Sequence, residues 1–197
     1  AAAQIAFYLR ALAQIPAVSL IGADAREFYP LFTKNDLIIA PSQSGETADV
    51  LEVLEVAQKK GVKIASHVNM PGSMMTRMSD YPFMAEAGAE ICVMSTKVFS
   101  SQITWGYLLA KTVAGEGNDG RKKLTKLAKD MTAYLDEKKN HTAIKKLAKH
   151  LLTKKDIFLL GKSQNLQIVN EGMVKLIEGA YKHAHAAFFE DVDFRRP

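Results

Sequence analysis

Cysteine is almost absent from this sequence of 197 residues, because Cys92 is the only one. A single cysteine excludes a disulfide within the chain and any zinc site built from several thiolates. It fits a reducing environment, so we expect a cytoplasmic protein. Cys92 follows Ile91 in an apolar stretch and has no histidine beside it in sequence. We therefore expect a small packed side chain and not a nucleophile.

Long hydrophobic runs are missing as well. No apolar stretch of the sequence approaches the roughly 20 residues that span a bilayer, and no basic segment with a following apolar core opens the chain. We expect a soluble protein with no membrane partner. Its length of 197 residues is enough for one α/β domain with a core, or for one domain and part of another.

Positive charge is concentrated in one segment. The net charge of +5 comes mainly from a series of lysines within residues 121–155. Leucines and alanines at helical spacing run through this series, which predicts two amphipathic helices whose lysines face solvent. Nucleic-acid binding is the alternative, but aromatic residues are nearly absent here and Asp130, Asp136 and Glu137 interrupt the lysines. We therefore expect no nucleic-acid partner.

Apolar periodicity predicts that strands and helices alternate along the chain. The predicted strands are residues 18–21, 37–41, 62–68, 81–85 and 157–161. The predicted helices are residues 1–14, 48–60, 95–114, two within 121–154, and 166–187, with single turns near 27–30 and at 74–78 and a flexible break at 115–120. Strands separated by helices of this length indicate a parallel sheet. The predicted fold class is α/β, a three-layer parallel sheet flanked by helices.

The most informative segment is a polar turn at residues 42–47, named here the hydroxyl loop, between a predicted strand and a predicted helix. Its side chains able to bind an anion are Ser42, Gln43, Ser44 and Thr47. Ligands of parallel sheets bind where strands end, and the positive end of the following helix suits a phosphate monoester. The loop has neither the lysine of a P-loop nor a dinucleotide fingerprint, so we expect a small sugar phosphate, with no cofactor and no metal. A capped turn is the alternative interpretation.

A second cluster of hydroxyl groups opens the predicted helix 95–114. Ser95 and Thr96 place two hydroxyls at its start, where they could face a polyol or a phosphate. Ser95 as an ordinary N-cap is the alternative. Lys97 places a cation in the first turn, against the preference of the helix dipole, and a residue that breaks a local rule often has a reason at a site.

Together these motifs resemble the sugar isomerase (SIS) domain family and, within it, the isomerase domains of the glucosamine-6-phosphate synthases, which are glutamine:fructose-6-phosphate aminotransferases. The resemblance is carried by residues 42–49, 72–73, 79–81 and 90–99, and more weakly by 27–28, 158–161 and 171–176. It implies two modules, each a parallel five-stranded sheet with helices on its faces. Residues 1–115 would be a first module lacking its first strand, residues 116–155 a lysine-rich helical connector, and residues 156–197 the start of a second module.

The resemblance also implies roles for single residues. In that family the phosphate is held by the residues that match Ser42, Gln43, Ser44 and Thr47. The residue that matches Ser95 contacts the sugar, which is fructose 6-phosphate or glucosamine 6-phosphate. Lys175 and Glu178 match a lysine and a glutamate that act near the sugar carbons, the glutamate as the base that moves a proton between C1 and C2. A homodimer is expected, because SIS sites are often built across subunits and a truncated sheet leaves apolar surface.

The segment after His185 departs from the family pattern. Residues 189–197 stand where the family has a ring-opening histidine and, further on, a Schiff-base lysine. The lysine has no counterpart here, and the histidine has none unless His183 or His185 substitutes for it. Two functions therefore remain open. One is the isomerase domain of an enzyme of this kind, whose aminotransfer needs segments that this chain lacks. The other is a non-catalytic SIS module that binds a sugar phosphate as a sensor or an assembly part.

Overall fold

The computed structural model describes residues 1–92 and 94–188. These residues form two compact units, and the chain divides between Ala110 and Lys111. Residues 189–197, where the sequence departs from the family pattern, lie outside the described residues. Among the helices that the structure describes, none combines the length and the apolar character needed to cross a membrane.

The first unit contains a parallel sheet of three strands in the order β1-β2-β3. Its elements, in chain order, are α1 (Ala2–Ala13), a 3-10 segment (Gly22–Leu31), β1 (Leu37–Ser42), α2 (Ala48–Lys59), β2 (Lys63–Val68), α3 (Met74–Met78), β3 (Tyr81–Met84) and most of α4 (Lys97–Val113). β1 and β2 are each followed by a connection that crosses to the next parallel strand, as the alternating pattern of the sequence predicted.

Two apolar cores cover the two faces of this sheet. Because side chains alternate along a strand, Ile64 and Val68 of β2 face one side, where they pack with Leu54 of α2 and Met75 of α3. On the other side Ile39 of β1 packs against a core formed by α1 and α4, whose buried members are Ile5, Leu9 and Ala110. Helices therefore lie on both faces, and the predicted three-layer α/β fold is confirmed.

The second unit contains a β-α-β unit preceded by two helices. Its elements are α5 (Gly117–Asp136), α6 (Lys138–Leu152), β4 (Asp156–Gly161), a 3-10 turn (Ser163–Asn165), α7 (Leu166–Ala180) and β5 (His183–Phe188). β4 and β5 are parallel. α7 packs closely on β4, because a Cβ atom at Gly172 would lie 2.9 Å from Leu159 Cδ2.

The lysine-rich segment forms the two helices that its periodicity predicted, α5 and α6. Their lysines are exposed, but so are most of their large apolar side chains. These are Leu127, Met131, Tyr134, Leu135, Ile144, Leu147 and Leu152, each at least 45% exposed. Within the described residues, an apolar stripe on each helix is thus left facing solvent.

Three predictions of secondary structure are wrong. Residues 18–21 form no strand, because Val18 and Ile21 remain 76% and 71% exposed and have no neighbouring strand to pair with among the described residues. The segment 115–120 is not a flexible break, since α5 begins at Gly117. Residues 166–187 are not one helix: Tyr181 takes a left-handed conformation (φ 51°, ψ 38°) that ends α7, and the following residues pair with β4.

Candidate functional site

The hydroxyl loop lies where sequence analysis placed it, at the carboxyl end of β1 and before the first turn of α2. Two hydroxyl oxygens hold its backbone in a turn. The N–H of Gly45 donates to Ser42 Oγ over 2.9 Å, and the N–H of Glu46 donates to Ser44 Oγ over 3.2 Å. Both serine oxygens therefore act as acceptors inside the loop, which leaves their hydroxyl protons for another partner.

The donors of the loop are not used by the loop itself. In the part of the chain that the structure describes, no hydrogen bond is donated by the side chains of Ser42, Gln43, Ser44 or Thr47. Thr47 is the N-cap residue of α2, yet its side chain makes no capping hydrogen bond. Thr47 is therefore not the side-chain cap that the capped-turn alternative offered, whereas the hydrogen bond to Ser44 and the positive φ of Gly45 fit that alternative. Ser42, Gln43 and Ser44 are half-buried and Thr47 is exposed, and free donors at an uncapped helix start can bind an anion.

The loop is held tightly by the segment that follows β2. Gly45 has φ +68°, and a Cβ atom at this position would lie 2.7 Å from Ser73 Cβ and 2.9 Å from Val68 Cγ1. The N–H of Met74 donates to Glu46 Oε1 over 2.7 Å at the start of α3. The close approach requires glycine at position 45, and it fixes the hydroxyl loop against its neighbour.

A further contact joins the segments that follow β2 and β3. Asn69 comes directly after β2, and its Nδ2 donates to the carbonyl oxygen of Gly88 over 2.8 Å. The N–H of Ala87 donates back to Asn69 Oδ1 over 3.0 Å. The connections after β1, β2 and β3 are therefore linked along one edge of the sheet, the edge where parallel sheets bind ligands. Sequence analysis missed Asn69, although a polar residue directly after a buried strand was the available signal.

The start of α4 is capped by Glu90 and not by Ser95. Glu90 Oε1 accepts hydrogen bonds from the N–H groups of Thr96 and Lys97 over 2.8 and 2.6 Å, and Glu90 Oε2 accepts one from Ser95 Oγ over 3.2 Å. Burial opposes the ionisation of this carboxyl, but these hydrogen bonds outweigh it and hold the pKa of Glu90 below its ordinary value. Sequence analysis missed this role, because a cap six residues away has no local signal.

The loop before α4 also determines the surroundings of the Lys97 and Cys92 side chains. Lys97 Nζ donates to the carbonyl oxygen of Ala89 over 2.8 Å, so its ammonium group binds the loop and not the helix end. Cys92 is exposed, which makes the prediction of a packed side chain wrong. The reason is that Ile91, at 99% exposure, belongs to this loop and not to a buried strand.

A buried histidine lies beneath the same edge. His67 of β2 is 2% exposed, and its ring stacks on Trp105 of α4 with 4.8 Å between ring centroids. Burial lowers the pKa of His67 to about 4, so the imidazole is neutral at physiological pH. Its Nδ1 has no hydrogen-bond partner among the described residues.

The two predicted catalytic residues lie on α7 in the second unit. Lys175 Nζ is 2.5 Å from Glu171 Oε1 one helical turn earlier, and both side chains are less than a quarter exposed. Glu178 is exposed, and no ion pair or hydrogen bond of its side chain occurs among the described residues. Lys175 and Glu178 are three residues apart, so they share a face of the helix. Their roles stay predictions, as do those of the hydroxyl loop and Ser95.

The fold and this polar edge define a class: α/β domains with a parallel sheet between helical layers and a ligand edge at the strand ends. Residues 1–112 match the SIS domain family. The match covers more than half of the chain, so the chain belongs to the SIS domain family. The resemblance noted from the hydroxyl loop is thereby confirmed.

Two of the similar proteins carry the same name. The chain is 36% identical over 185 residues to a glutamine–fructose-6-phosphate aminotransferase (isomerizing) of Clostridium tetani, which matches 91% of this chain and 30% of the relative. The same name belongs to a Helicobacter pylori protein, 38% identical over 178 residues, with 88% of this chain and 30% of the relative covered. The chain thus spans about 30% of the length of these relatives.

Solved structures agree with the fold. The C-terminal domain of glucosamine-fructose-6-phosphate aminotransferase from Francisella tularensis superposes with a TM-score of 0.81 at 29% identity, over 95% of this chain and 55% of that one. A glucosamine-6-phosphate deaminase from Thermotoga maritima has a TM-score of 0.77 at 18% identity, over 95% of this chain and 57% of that one. At that identity the second likeness supports the fold alone.

Proposed function

We propose that this chain is part of the isomerase domain of an enzyme of the glutamine–fructose-6-phosphate aminotransferase type, and that the hydroxyl loop binds the phosphate of fructose 6-phosphate or glucosamine 6-phosphate. The observation that carries the proposal is the set of unused donors in the loop, at the start of a helix without a side-chain cap. The names of the relatives support the choice of sugar phosphate.

A phosphate supplies several acceptor oxygens at once, so the hydroxyl and amide donors of the loop can bind it together, with charge-assisted hydrogen bonds that are stronger than those to water. The N-terminal end of α2 adds a positive partial charge at the same place. The one acid of the loop, Glu46, is directed to the N–H of Met74 over 2.7 Å, which draws its carboxylate to the start of α3. The loop thus favours an anion although it contains no cation.

The binding test uses fructose 6-phosphate and isothermal titration calorimetry. Thr47→Val keeps the shape of the side chain and removes its hydroxyl, so we expect affinity to fall by about ten- to a hundredfold, the value of a hydrogen bond to a charged group. Thr132→Val on α5 is the matched control, since its hydroxyl donates only to the carbonyl oxygen of Ala128, and it should leave affinity unchanged. An unchanged affinity in Thr47→Val, or no binding by the unaltered chain, would contradict the proposal.

The second part of the proposal concerns catalysis. Glu178 would be the base that moves the proton between C1 and C2, Lys175 would act beside it, and Ser95 would contact the sugar. The exposed carboxylate of Glu178 supports this, because no cation among the described residues neutralises it. Lys175 is held by Glu171, which orients its ammonium group.

Exchange of the sugar's C1 protons with solvent D2O, followed by NMR, tests this step. We expect slow exchange with the unaltered chain and none with Glu178→Gln, while phosphate binding stays the same. Binding without any exchange in the unaltered chain would instead favour the non-catalytic SIS module. Equal exchange in both proteins would remove Glu178 from the mechanism.

We further propose that residues 116–155 connect two SIS modules and that residues 156–197 begin the second. The parallel β-α-β unit of β4, α7 and β5 supports this, since it is the repeating element of such sheets. A cytoplasmic location is part of the proposal and is supported by the single cysteine of the sequence.

A homodimer completes the proposal, and the exposed apolar stripes of α5 and α6 support it. Sedimentation velocity at several protein concentrations is the test. We expect a dimer that Leu147→Lys dissociates, whereas Lys146→Ala on the same helix leaves it intact. A single monomeric species at every concentration would contradict the dimer.

A further inference from the structure

The amino ends of the strands in the second unit carry a cluster of side chains that the proposed function does not use. Asp156 is the first residue of β4 and His183 is the first residue of β5, and the two are direct neighbours in the parallel register. His185 lies two residues further along β5, so it points to the same face of the sheet as His183. Ligands of parallel sheets bind at the opposite, carboxyl ends of strands, so this cluster lies away from the edge where such ligands bind.

The geometry brings three potential metal ligands together. His183 Nδ1 lies 2.5 Å from Asp156 Oδ1. Asp156, His183 and His185 each offer one nitrogen or oxygen atom, and these three atoms lie within 4.8 Å of one another. The two imidazole rings stand nearly perpendicular, at 82° with 4.4 Å between centroids. Phe158 stacks on His185 at 5.2 Å, which restricts the orientation of that ring.

We propose that Asp156, His183 and His185 form a binding site for a divalent transition-metal ion, and that Zn²⁺ is the ion that fits it. Two imidazoles and one carboxylate are the ligand types that Zn²⁺ takes, whereas Mg²⁺ and Ca²⁺ prefer oxygen ligands alone. All three side chains are exposed, which leaves a fourth position for water.

The site needs only side-chain adjustment to hold the ion. With metal–ligand bonds of about 2.1 Å, the donor atoms of a tetrahedral site lie about 3.4 Å apart. The widest pair must therefore approach by at most about 1.4 Å, and the pair formed by Asp156 and His183 must open by about 1 Å. Both shifts are within the reach of side-chain rotation at an exposed surface.

Nearby lysines set the electrostatic background. Lys154, Lys155 and Lys182 lie next to the cluster in sequence, and their charge lowers the affinity for any cation. Lys182 Nζ, however, donates to the carbonyl oxygens of Leu152 and Lys154 over 2.7 and 3.3 Å, so its ammonium group is held by carbonyl oxygens. The carboxylate of Asp156 then provides the negative charge of the site.

The role that follows is structural. Asp156 and His183 are 27 residues apart in sequence and meet only because β4 and β5 pair. An ion held by both would bind the folded chain and not the unfolded one, in which its ligands are apart, so its binding would stabilise the pairing of β4 and β5.

The test titrates the full chain with Zn²⁺ in a calorimeter and follows Co²⁺ by visible absorption as a second probe. We expect one equivalent of Zn²⁺ to bind and His185→Gln to weaken binding at least about tenfold. His150→Gln is the matched control, because His150 is also an exposed histidine but lies on α6. It should change the affinity less than about twofold.

Three results would overturn the proposal. They are no uptake of Zn²⁺ by the unaltered chain, equal losses in His185→Gln and His150→Gln, and unchanged affinity in Asp156→Asn. The last variant also covers the case in which His185→Gln fails to fold through loss of its stacking on Phe158. Asp156→Asn keeps the side-chain shape and is expected to show the same tenfold loss, with circular dichroism recording that the fold is retained.

Discussion

Replacement of Gly45 by alanine tests the packing that holds the hydroxyl loop. Gly45 has φ +68°, and its new Cβ atom would lie 2.7 Å from Ser73 Cβ and 2.9 Å from Val68 Cγ1, closer than carbon atoms approach. The left-handed conformation costs a residue with a side chain about 1–2 kcal/mol, and overpacking costs about 1–3 kcal/mol more. We expect Gly45→Ala to lower the free energy of unfolding by about 2–5 kcal/mol and to weaken binding of fructose 6-phosphate.

Gly72 offers the matched control for the same experiment. It has nearly the same conformation, φ +70°, but a Cβ atom there would have nothing within 4 Å. Gly72→Ala should therefore show only the conformational cost of about 1–2 kcal/mol. Urea unfolding followed by the fluorescence of Trp105 measures both, since this is the only tryptophan and it lies in the first unit. If the free energy of unfolding falls equally in the two variants, the loop does not make the close contact with Ser73.

Two further predictions concern titrating groups of the first unit. Burial lowers the pKa of His67 from 6.5 to about 4, so the unfolded chain gains a proton in this range that the folded chain does not. The free energy of unfolding is therefore undiminished above pH 6.5 and falls as the pH drops towards 4, by about 2 kcal/mol at pH 5. His67→Gln should abolish this contribution of His67, which urea unfolding at pH 7.5 and at pH 5 would measure. Glu90→Gln removes the charged cap of α4 and should cost about 1 kcal/mol, while Glu86→Gln in the same loop should cost less than about 0.5 kcal/mol; equal effects would contradict the capping role.

Local patterns predicted most of the fold. The strand before the hydroxyl loop, the loop and α2 follow one another within 23 residues of chain, from Leu37 to Lys59, so periodicity and turn chemistry were sufficient. The same holds for α5 and α6, whose lysines and leucines keep helical spacing. Such elements need no information about what packs on them.

Elements that depend on distant partners were not predicted. β5 reads as a continuation of α7, because its alanines and histidines also suit a helix, and only pairing with β4 decides its state. Glu90 becomes a cap through a loop that doubles back on α4. Asn69 joins two loops across the sheet edge. In each case the deciding contact lies several residues or a strand away, where no sequence spacing records it.

The phosphate site proposed at the hydroxyl loop contains no basic residue. A lysine would give stronger attraction, but its charge would hold phosphate of any kind, whereas neutral donors discriminate by position. Positional discrimination requires a loop that does not move. In this chain the close contact of Gly45 with Ser73 and the hydrogen bond from Met74 to Glu46 supply that rigidity from the neighbouring β2–α3 connection. The apolar core beneath, formed around Val68 and Met75, is thus part of the proposed site as much as the hydroxyls are.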